Sequence, residues 1–401
     1  MNKFEAKSIC ILGRQPQLGL AELESLYGPA HIVPLKGAAL LDVPAEDIDF
    51  RRLGGTIKVA RVLVELDKTD WKSLSAYLID KVPGHLEYLP EGKFTLGLSA
   101  YGIDVTTGKI QATLLELKKL IRKTGRPVRI VPNKTIALNS AVVLHNKLPF
   151  KGAWELMFIK AGSKTFLTQT LFVQDIEAYA ARDQARPARD SRVGMLPPKL
   201  AQILVNLAVG QLDSAVEDKN RVRILDPFCG TGVVLQEALL MGYSVMGTDI
   251  EPKMVGYTKK NLQWLAQKQP SIEGLVDIEL ADATSFTWPG FTSLASEVFL
   301  GRPLNSLPAE VDLKQIISDA NVITKKFLKN LSPQLKPGRT ICLAVPAWRR
   351  PNGQLIHLPV LDQLTDMGYN YSDLKHVGRD ELIYFREDQV VARQLIRLEK
   401  A

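Results

Sequence analysis

The stretch Asp226-Pro227-Phe228-Cys229-Gly230-Thr231-Gly232 joins a short apolar run, Arg223 to Pro227, to an apolar helical segment, Thr231 to Met241. It reads as strand, tight turn, helix. Gly230 and Gly232 let the backbone turn sharply and approach a ligand closely. In an open α/β sheet such a turn sits at the carboxyl edge, where ligands bind. The stretch lacks the Gly-Lys-Ser/Thr ending of a phosphate loop and lacks a complete Gly-x-Gly-x-x-Gly. Downstream, strands are predicted over Tyr243 to Ile250, Asp277 to Ala283, Leu294 to Leu300 and Thr340 to Pro346. Helices are predicted over Lys253 to Gln267, Leu313 to Leu331 and Leu358 to Met367, and a closing hairpin over Leu382 to Arg386 and Val391 to Leu398. Alternating strands and helices predict a mostly parallel, doubly wound sheet with one antiparallel strand.

The next two strand tips carry acids. Asp249, in Thr248-Asp249-Ile250, lies 17 residues past Gly232, where a carboxylate can accept both hydroxyls of a ribose. Asp282, in Ala281-Asp282-Ala283, can accept a hydrogen bond from an adenine amine. A turn needs no acid for its own sake. Asp226, Asp249 and Asp282 at three successive tips therefore point to an adenosyl ligand.

The first half of the chain is read as two α+β units. Residues 1–66 follow the order β-α-β-β-α-β of a ferredoxin-like domain, with a short helix over Ile48 to Leu53. Residues 67–174 form a second unit that ends in a hairpin around Ala161-Gly162-Ser163. Within it Lys118, Lys119, Arg122, Lys123, Arg126, Arg129 and Lys134 follow one another without an acid between them, which suits a nucleic-acid backbone. Residues 175–198 read as a linker that carries Arg182, Arg186, Arg189 and Arg192. The nucleotide-binding unit takes residues 199–401.

Composition fits a folded protein and leaves room for a polyanionic partner, although many soluble enzymes are as mildly basic. The chain has 401 residues, 51 Lys+Arg against 43 Asp+Glu, a net charge of +8, 46% hydrophobic residues and 23% charged residues. That length calls for two or three domains, and that apolar share excludes wholesale disorder. Cys10, Cys229 and Cys342 are too few and too scattered for a disulfide scaffold. No apolar run approaches the ~18 residues needed to cross a bilayer. Met1 to Arg14 carries no long apolar segment or cleavage signature, which predicts a cytoplasmic protein. The five histidines form no ligand cluster, so no metal is expected.

The series Asp226–Gly232, Gly247-Thr248-Asp249-Ile250 and Leu280-Ala281-Asp282-Ala283 resembles the motifs of class I S-adenosylmethionine-dependent methyltransferases. The stretch Asp175 to Asp183, with Arg186-Pro187 and Gly194-Met195-Leu196-Pro197-Pro198-Lys199-Leu200-Ala201, resembles the linker of THUMP-domain tRNA guanine-N2 methyltransferases. Leu138 to Asn146 resembles the end of a THUMP domain. The resemblance implies a seven-stranded Rossmann-like domain preceded by ferredoxin-like and THUMP-like RNA-binding domains. S-adenosylmethionine is the implied cofactor and tRNA the implied partner, and some relatives also need a small activating subunit. The cofactor set it implies is Asp226, Pro227, Phe228, Cys229, Gly230, Thr231, Gly232, Asp249, Ile250, Asp282, Ala283, Pro198 and Lys199. The RNA set is Lys118, Lys119, Arg122, Lys123, Arg126, Arg129, Arg182, Arg186 and Arg189.

After its fourth strand this family carries Asp or Asn, two prolines, then Tyr or Phe. A carboxylate or amide oxygen there accepts the protons of a poorly nucleophilic base amine, and the aromatic ring stacks on the flipped base. This chain has Ser296-Glu297-Val298-Phe299-Leu300-Gly301-Arg302-Pro303 instead. Glu297 falls at the acidic position and Phe299 one residue before the family aromatic. Both are read as catalytic, in a working variant of the motif. A SAM- and RNA-binding protein impaired in catalysis, and a DNA amino-methyltransferase, are the competing expectations.

Overall fold

The structure is a computed structural model that describes residues 4–190, 196–211, 222–304, 306–387 and 389–401. The chain folds as two compact units. The first holds the described residues up to Arg14, His31–Phe50 and Thr56–Ala178; the second holds Gln15–Ala30, Arg51–Gly55 and Tyr179–Ala401.

The first unit is built on one sheet. In chain order it contains β1 (Ser8–Leu12), β2 (Ile32–Leu35), β3 (Ala38–Leu41), β4 (Thr56–Leu66), β5 (Phe94–Tyr101), β6 (Val128–Ile130), β7 (Ala153–Ala161) and β8 (Lys164–Val173). Between β1 and β2 the chain forms α1 (Pro16–Tyr27), whose residues belong to the second unit. The strand order is β2-β3-β1-β4-β8-β7-β5-β6. The long antiparallel pairing of β4 with β8 joins the strands of both expected N-terminal domains, so sheet pairing runs across residue 66. Helices α2 (Trp71–Lys81), α3 (Thr107–Lys123) and α4 (Ser140–His145) complete the unit. Leu74, Leu78, Ile110, Leu114, Leu117 and Ile121 bury one stripe of α2 and α3 against Phe94, Leu96 and Leu98 of β5. The buried Lys58 ammonium meets Glu155 at 2.5 Å, and the hydroxyls of Ser99 and Thr170 donate to the same carboxylate. These bonds offset part of the desolvation cost of the pair.

The helix expected over Ile48 to Leu53 is instead two short 3₁₀ turns, Ala45–Asp47 and Phe50–Arg52. The extended backbone at Ile48 (φ −80°, ψ 113°) separates the two turns, and Gly54-Gly55 ends the second.

The second unit follows the nucleotide-binding reading. It contains α5 (Ile176–Gln184) from Tyr179 onward, then α6 (Pro198–Val209), β9 (Arg223–Asp226), α7 (Val233–Leu240), β10 (Ser244–Asp249), α8 (Pro252–Lys268), β11 (Val276–Leu280), β12 (Ser293–Glu297) and α9 (Glu310–Leu331). After these come β13 (Thr340–Arg349), β14 (Leu355–Ile356), β15 (Tyr369–Tyr371), β16 (Ile383–Tyr384) and β17 (Val391–Lys400). The sheet path is β11-β10-β9-β12-β13-β17-β15, with β14 and β16 paired off it. Strands β9 to β13 run parallel, and β17 is antiparallel to both β13 and β15. The helix expected over Leu358 to Met367 is again 3₁₀, as Pro359–Gln363 and Thr365–Met367. Strand succession reverses at β9: β10 and β11 lie on one side of it, β12 and β13 on the other. That switch point is where an open α/β sheet leaves a crevice.

Helix α1 is fixed to this unit through Glu22, which is fully buried. Its carboxylate accepts the backbone N–H groups of Gly54 at 2.9 Å and Gly55 at 2.8 Å, and the Asn206 amide at 2.7 Å. Arg52 donates to the Asn206 side-chain oxygen and to the Tyr243 hydroxyl. Burial pushes the Glu22 pKa up to about 7 against the pull of these donors. We predict that Glu22→Ala, which leaves two buried N–H groups unpaired, lowers the stability of this unit by about 3 kcal/mol. Calorimetric unfolding checks this, and a loss below about 0.5 kcal/mol contradicts it.

Candidate active site

The carboxyl ends of β11, β10, β9 and β12 lie side by side. With strands about 4.8 Å apart, the outer tips are about 14 Å apart, the scale of an adenosyl group with its tail. Asp226, Asp249 and Glu297 end their strands, and Asp282 follows β11 by two residues. The structure thus brings the four predicted acids to one edge.

Asp226 is buried at the tip of β9. Its Oδ1 accepts the Ser296 hydroxyl at 2.6 Å and the Phe228 N–H at 3.3 Å. Burial pushes its pKa up to about 7, and the Ser296 bond opposes the rise. The glycine loop then turns through Gly230 (φ 52°) and Gly232 (φ 83°), both in the left-handed region. The Gly230 N–H donates to Asp249 Oδ2 at 2.8 Å, while the Glu251 N–H donates to Asp249 Oδ1 at 3.0 Å. Asp249 therefore anchors the loop to the second strand. Burial raises its pKa too, against these bonds. Asp282 is exposed, and its Oδ1 accepts both the N–H and the hydroxyl of Thr284 at 2.8 Å.

The remaining predicted cofactor residues divide by burial. Pro227, Thr231, Ala283 and Pro198 are buried, Phe228 is half-buried and Ile250 is exposed. Cys229 is buried, and its Sγ accepts the Thr258 hydroxyl at 3.7 Å. Burial raises its thiol pKa well above the ordinary value, which makes it a packing residue. The Lys199 ammonium lies 5.1 Å from the Tyr179 ring centroid, and burial lowers its pKa.

Two linker arginines of the RNA set point inward. Arg186 is 4% exposed and donates to the Thr231 hydroxyl at 3.3 Å. Arg182 pairs with the fully buried Glu237 at 3.2 Å and lies 4.3 Å over the Tyr179 ring. Both brace the glycine loop and its helix, which takes them out of a phosphate-facing surface. The cause is local: Glu237, inside an apolar helix, needs a cation. Arg189 is exposed. Residues 191–195 of the expected linker, Arg192 among them, lie outside the described residues.

The basic stretch of the first unit also divides. Arg126 donates to the backbone carbonyls of Leu86 and Pro90, so it staples a loop. Lys119, Arg122, Lys123 and Arg129 are exposed and Lys118 is half-buried.

Glu297 is 16% exposed at the tip of β12. Its Oε1 accepts Arg393 Nε at 2.7 Å. Burial raises its pKa, and the Arg393 charge opposes that rise. Phe299, two residues on, is exposed and available for stacking. Arg393 and Ser296 were not among the sequence candidates. Arg393 did leave a signal: Arg393-Gln394 interrupts the apolar strand Val391-Ala392-…-Leu395-Ile396. Among the described residues no group of three or more His, Cys, Asp or Glu is arranged to hold a metal ion.

Residues 186–344 match the UPF0020 family, described as RMKL-like, methyltransferase domain. A tRNA (guanine(10)-N2)-dimethyltransferase of Methanothermobacter thermautotrophicus is 30% identical over 207 residues, which cover 50% of this chain and 53% of the relative. A tRNA (guanine(10)-N2)-dimethyltransferase of Pyrococcus abyssi is 35% identical over 126 residues, 30% of this chain and 33% of the relative. The chain thus spans about half or less of the length of these relatives. The crystal structure of TrmN from Thermus thermophilus superposes with a TM-score of 0.51, at 17% identity, over 99% of this chain and 100% of that one. Residues 186–344 therefore resemble a methyltransferase domain, and the fold is class I methyltransferase-like α/β.

Gly247, in the middle of β10, lets the loop and α7 pack close to the sheet. A Cβ there would overlap Leu235 Cδ1 and crowd Ile278 Cδ1 at 3.1 Å and Cys229 Cβ at 3.2 Å. Gly256, inside α8, has nothing within 4 Å of such a Cβ. We predict that Gly247→Ala costs about 1–3 kcal/mol of stability through overpacking. Gly256→Ala should instead be neutral or gain about 0.5–1 kcal/mol from helix propensity. Urea denaturation of the pair checks this, and equal effects would contradict it.

Proposed function

We propose that this chain is an S-adenosylmethionine-dependent methyltransferase that acts on the exocyclic N2 amine of a guanosine in tRNA. The observation that carries the reading is the acidic edge: the glycine loop of β9 with Asp249 on one side and Glu297 on the other. In this reading Asp249 accepts the ribose hydroxyls of an adenosyl group and Asp282 a hydrogen bond from its amine. The glycine loop supplies the close backbone approach for the amino-acid tail, and Pro198 and Lys199 stand beside it in the reading. Glu297 accepts a proton of the target amine as positive charge develops on nitrogen, and Phe299 stacks on the flipped base. Alignment of amine and methyl group would supply much of the acceleration. The names of the relatives support tRNA and the guanine amine as substrate.

The RNA-docking part is read as a ferredoxin-like portion over 1–66 and a THUMP-like portion over 67–174, followed by a linker over 175–198. Lys118, Lys119, Arg122, Lys123 and Arg129 are its phosphate contacts in this reading. RNA of this kind is recognised largely through shape and backbone charge. An enzyme acting on tRNA would work in the cytoplasm. Among the described residues no helix is long and apolar enough to cross a membrane. A second reading, binding of cofactor and RNA without transfer, is favoured by two observations: the acid at the motif position is paired with Arg393, and both prolines of the resembled motif are missing.

Two measurements test the two halves. Asp249→Ala is expected to weaken S-adenosylmethionine binding by about 1.5–3 kcal/mol, the worth of hydrogen bonds to a charged group. Unchanged calorimetric affinity in the folded variant would remove the cofactor assignment. Replacing Lys119, Arg122 and Lys123 together with glutamine is expected to flatten the slope of log K against log salt for tRNA by about 2–3, since fewer counterions are released. Arg126→Gln should leave that slope unchanged, because its guanidinium is held by carbonyls. An unaltered slope in the triple variant would make the stretch a solvated face.

A further inference from the structure

We propose that Arg393 is a positioning residue: its guanidinium grips one oxygen of Glu297 and so presents the other to the target amine. The inference rests on the methyltransferase reading and extends it to a residue outside the motif. It starts from the sheet register. Glu297 is opposite Ala344 of β13, and Arg393 of β17 is opposite Pro346 of the same strand. Ala344 and Pro346 are two apart and share a face. The Arg393 side chain therefore reaches diagonally across β13, over two short side chains, to the tip of β12. Larger residues at either position would block that path.

The donor pattern matters as much as the contact. A forked guanidinium can engage both oxygens of a carboxylate. Here it does not. Nε takes Glu297 Oε1 at 2.7 Å, while Nη1 turns away to Gln389 Oε1 at 3.2 Å. The described residues make no hydrogen bond to Glu297 Oε2. Arg393 itself is only 4% exposed, so it is held by its surroundings. The family places a short Asp or Asn here, backed by two rigid prolines. This chain has a side chain with one more rotatable bond and no prolines. A fixed cation on one oxygen restores the lost rigidity by other means.

The groups that face Glu297 are few. Arg393 comes from β17. Asp226, on β9, is close enough for the Glu297 charge to help raise its pKa, after burial. The facing residues of β13 and Gln389 carry no charge. Loss of Arg393 would remove the charge and hydrogen bond that oppose burial at Glu297, and its pKa would rise further. Since transfer needs the ionised form, the acid limb of the pH–rate profile would move to higher pH.

The test is single-turnover transfer from labelled S-adenosylmethionine to an unmodified tRNA transcript, as a function of pH. The proteins are wild type, Arg393→Gln, Arg393→Lys, Glu297→Gln and the double glutamine variant, with cofactor affinity measured alongside. Arg393→Gln should lower the rate at least about tenfold, but by no more than Glu297→Gln. Its acid limb should shift upward with cofactor affinity unchanged. Arg393→Lys should recover part of the rate and return the limb toward wild type. The double variant should be no slower than Glu297→Gln alone. Losses that multiply in the double variant, or an acid limb that stays in place, would overturn the proposal. If Arg393→Gln does not fold, Arg393→Lys decides: a rate loss that disappears in the Glu297→Gln background would support the proposal, and a rate loss as deep in that background, or a wild-type rate and limb, would overturn it. An active wild type with unaffected Arg393 variants defeats this inference alone. A wild type that binds cofactor but methylates no tRNA defeats the functional reading with it.

Discussion

The hydrogen bond from the Ser296 hydroxyl to Asp226 holds the two central strands together at the point where the sheet opens. Backbone pairing between β9 and β12 is registered only at Ile224 with Ser293 and at Leu225 with Leu294. Beyond Leu225 that ladder gives way to a side-chain bond of 2.6 Å between the strand tips. Strands that part at a switch point leave a crevice at their carboxyl ends. Because this bond is buried, it also fixes how far they part. The glycine loop starts at Asp226 and the motif acid follows Ser296, so both halves of the site take their separation from it.

Electrostatics at this edge is dominated by acids. Asp226, Asp249 and Glu297 are all held above their ordinary pKa by burial. Each carboxylate has donors of its own that offset the cost: Ser296 and Phe228, Gly230 and Glu251, and Arg393. Such an edge favours a ligand that brings positive charge. S-adenosylmethionine carries a sulfonium, whereas its demethylated product does not. On the proposed function, acids that attract the cofactor would also help the product leave. Metal chemistry is not needed for this reaction class, in which positioning and charge supply the barrier reduction.

Much of the second unit was legible in the sequence because its signals are local. Strand–loop–helix succession, the two loop glycines and an acid at each strand tip all lie within a few residues of one another. What escaped was set by distant partners. Nothing near Glu22 in the sequence shows that α1 is tied to Asn206, 184 positions away. Arg182 and Arg186 look like a phosphate surface until Glu237 and Thr231 are seen beside them. Arg126 belongs to a basic run by sequence, yet two carbonyls hold it. Arg393 lies 96 residues from Glu297. Composition identifies an arginine, but only the fold tells which anion it serves. The segments Ile48 to Leu53 and Leu358 to Met367 read as helices from the spacing of their apolar residues and are 3₁₀ turns in the structure.

The central claim is that the acidic edge moves a methyl group from S-adenosylmethionine to a guanosine amine in tRNA. The most direct measurement is to incubate the wild-type chain with labelled S-adenosylmethionine and, separately, unmodified tRNA and duplex DNA, then digest to nucleosides and identify the labelled product by mass. The account predicts N2-methylated guanosine from tRNA and no label in DNA. Label confined to DNA bases, or cofactor binding without transfer to any tRNA, would contradict it.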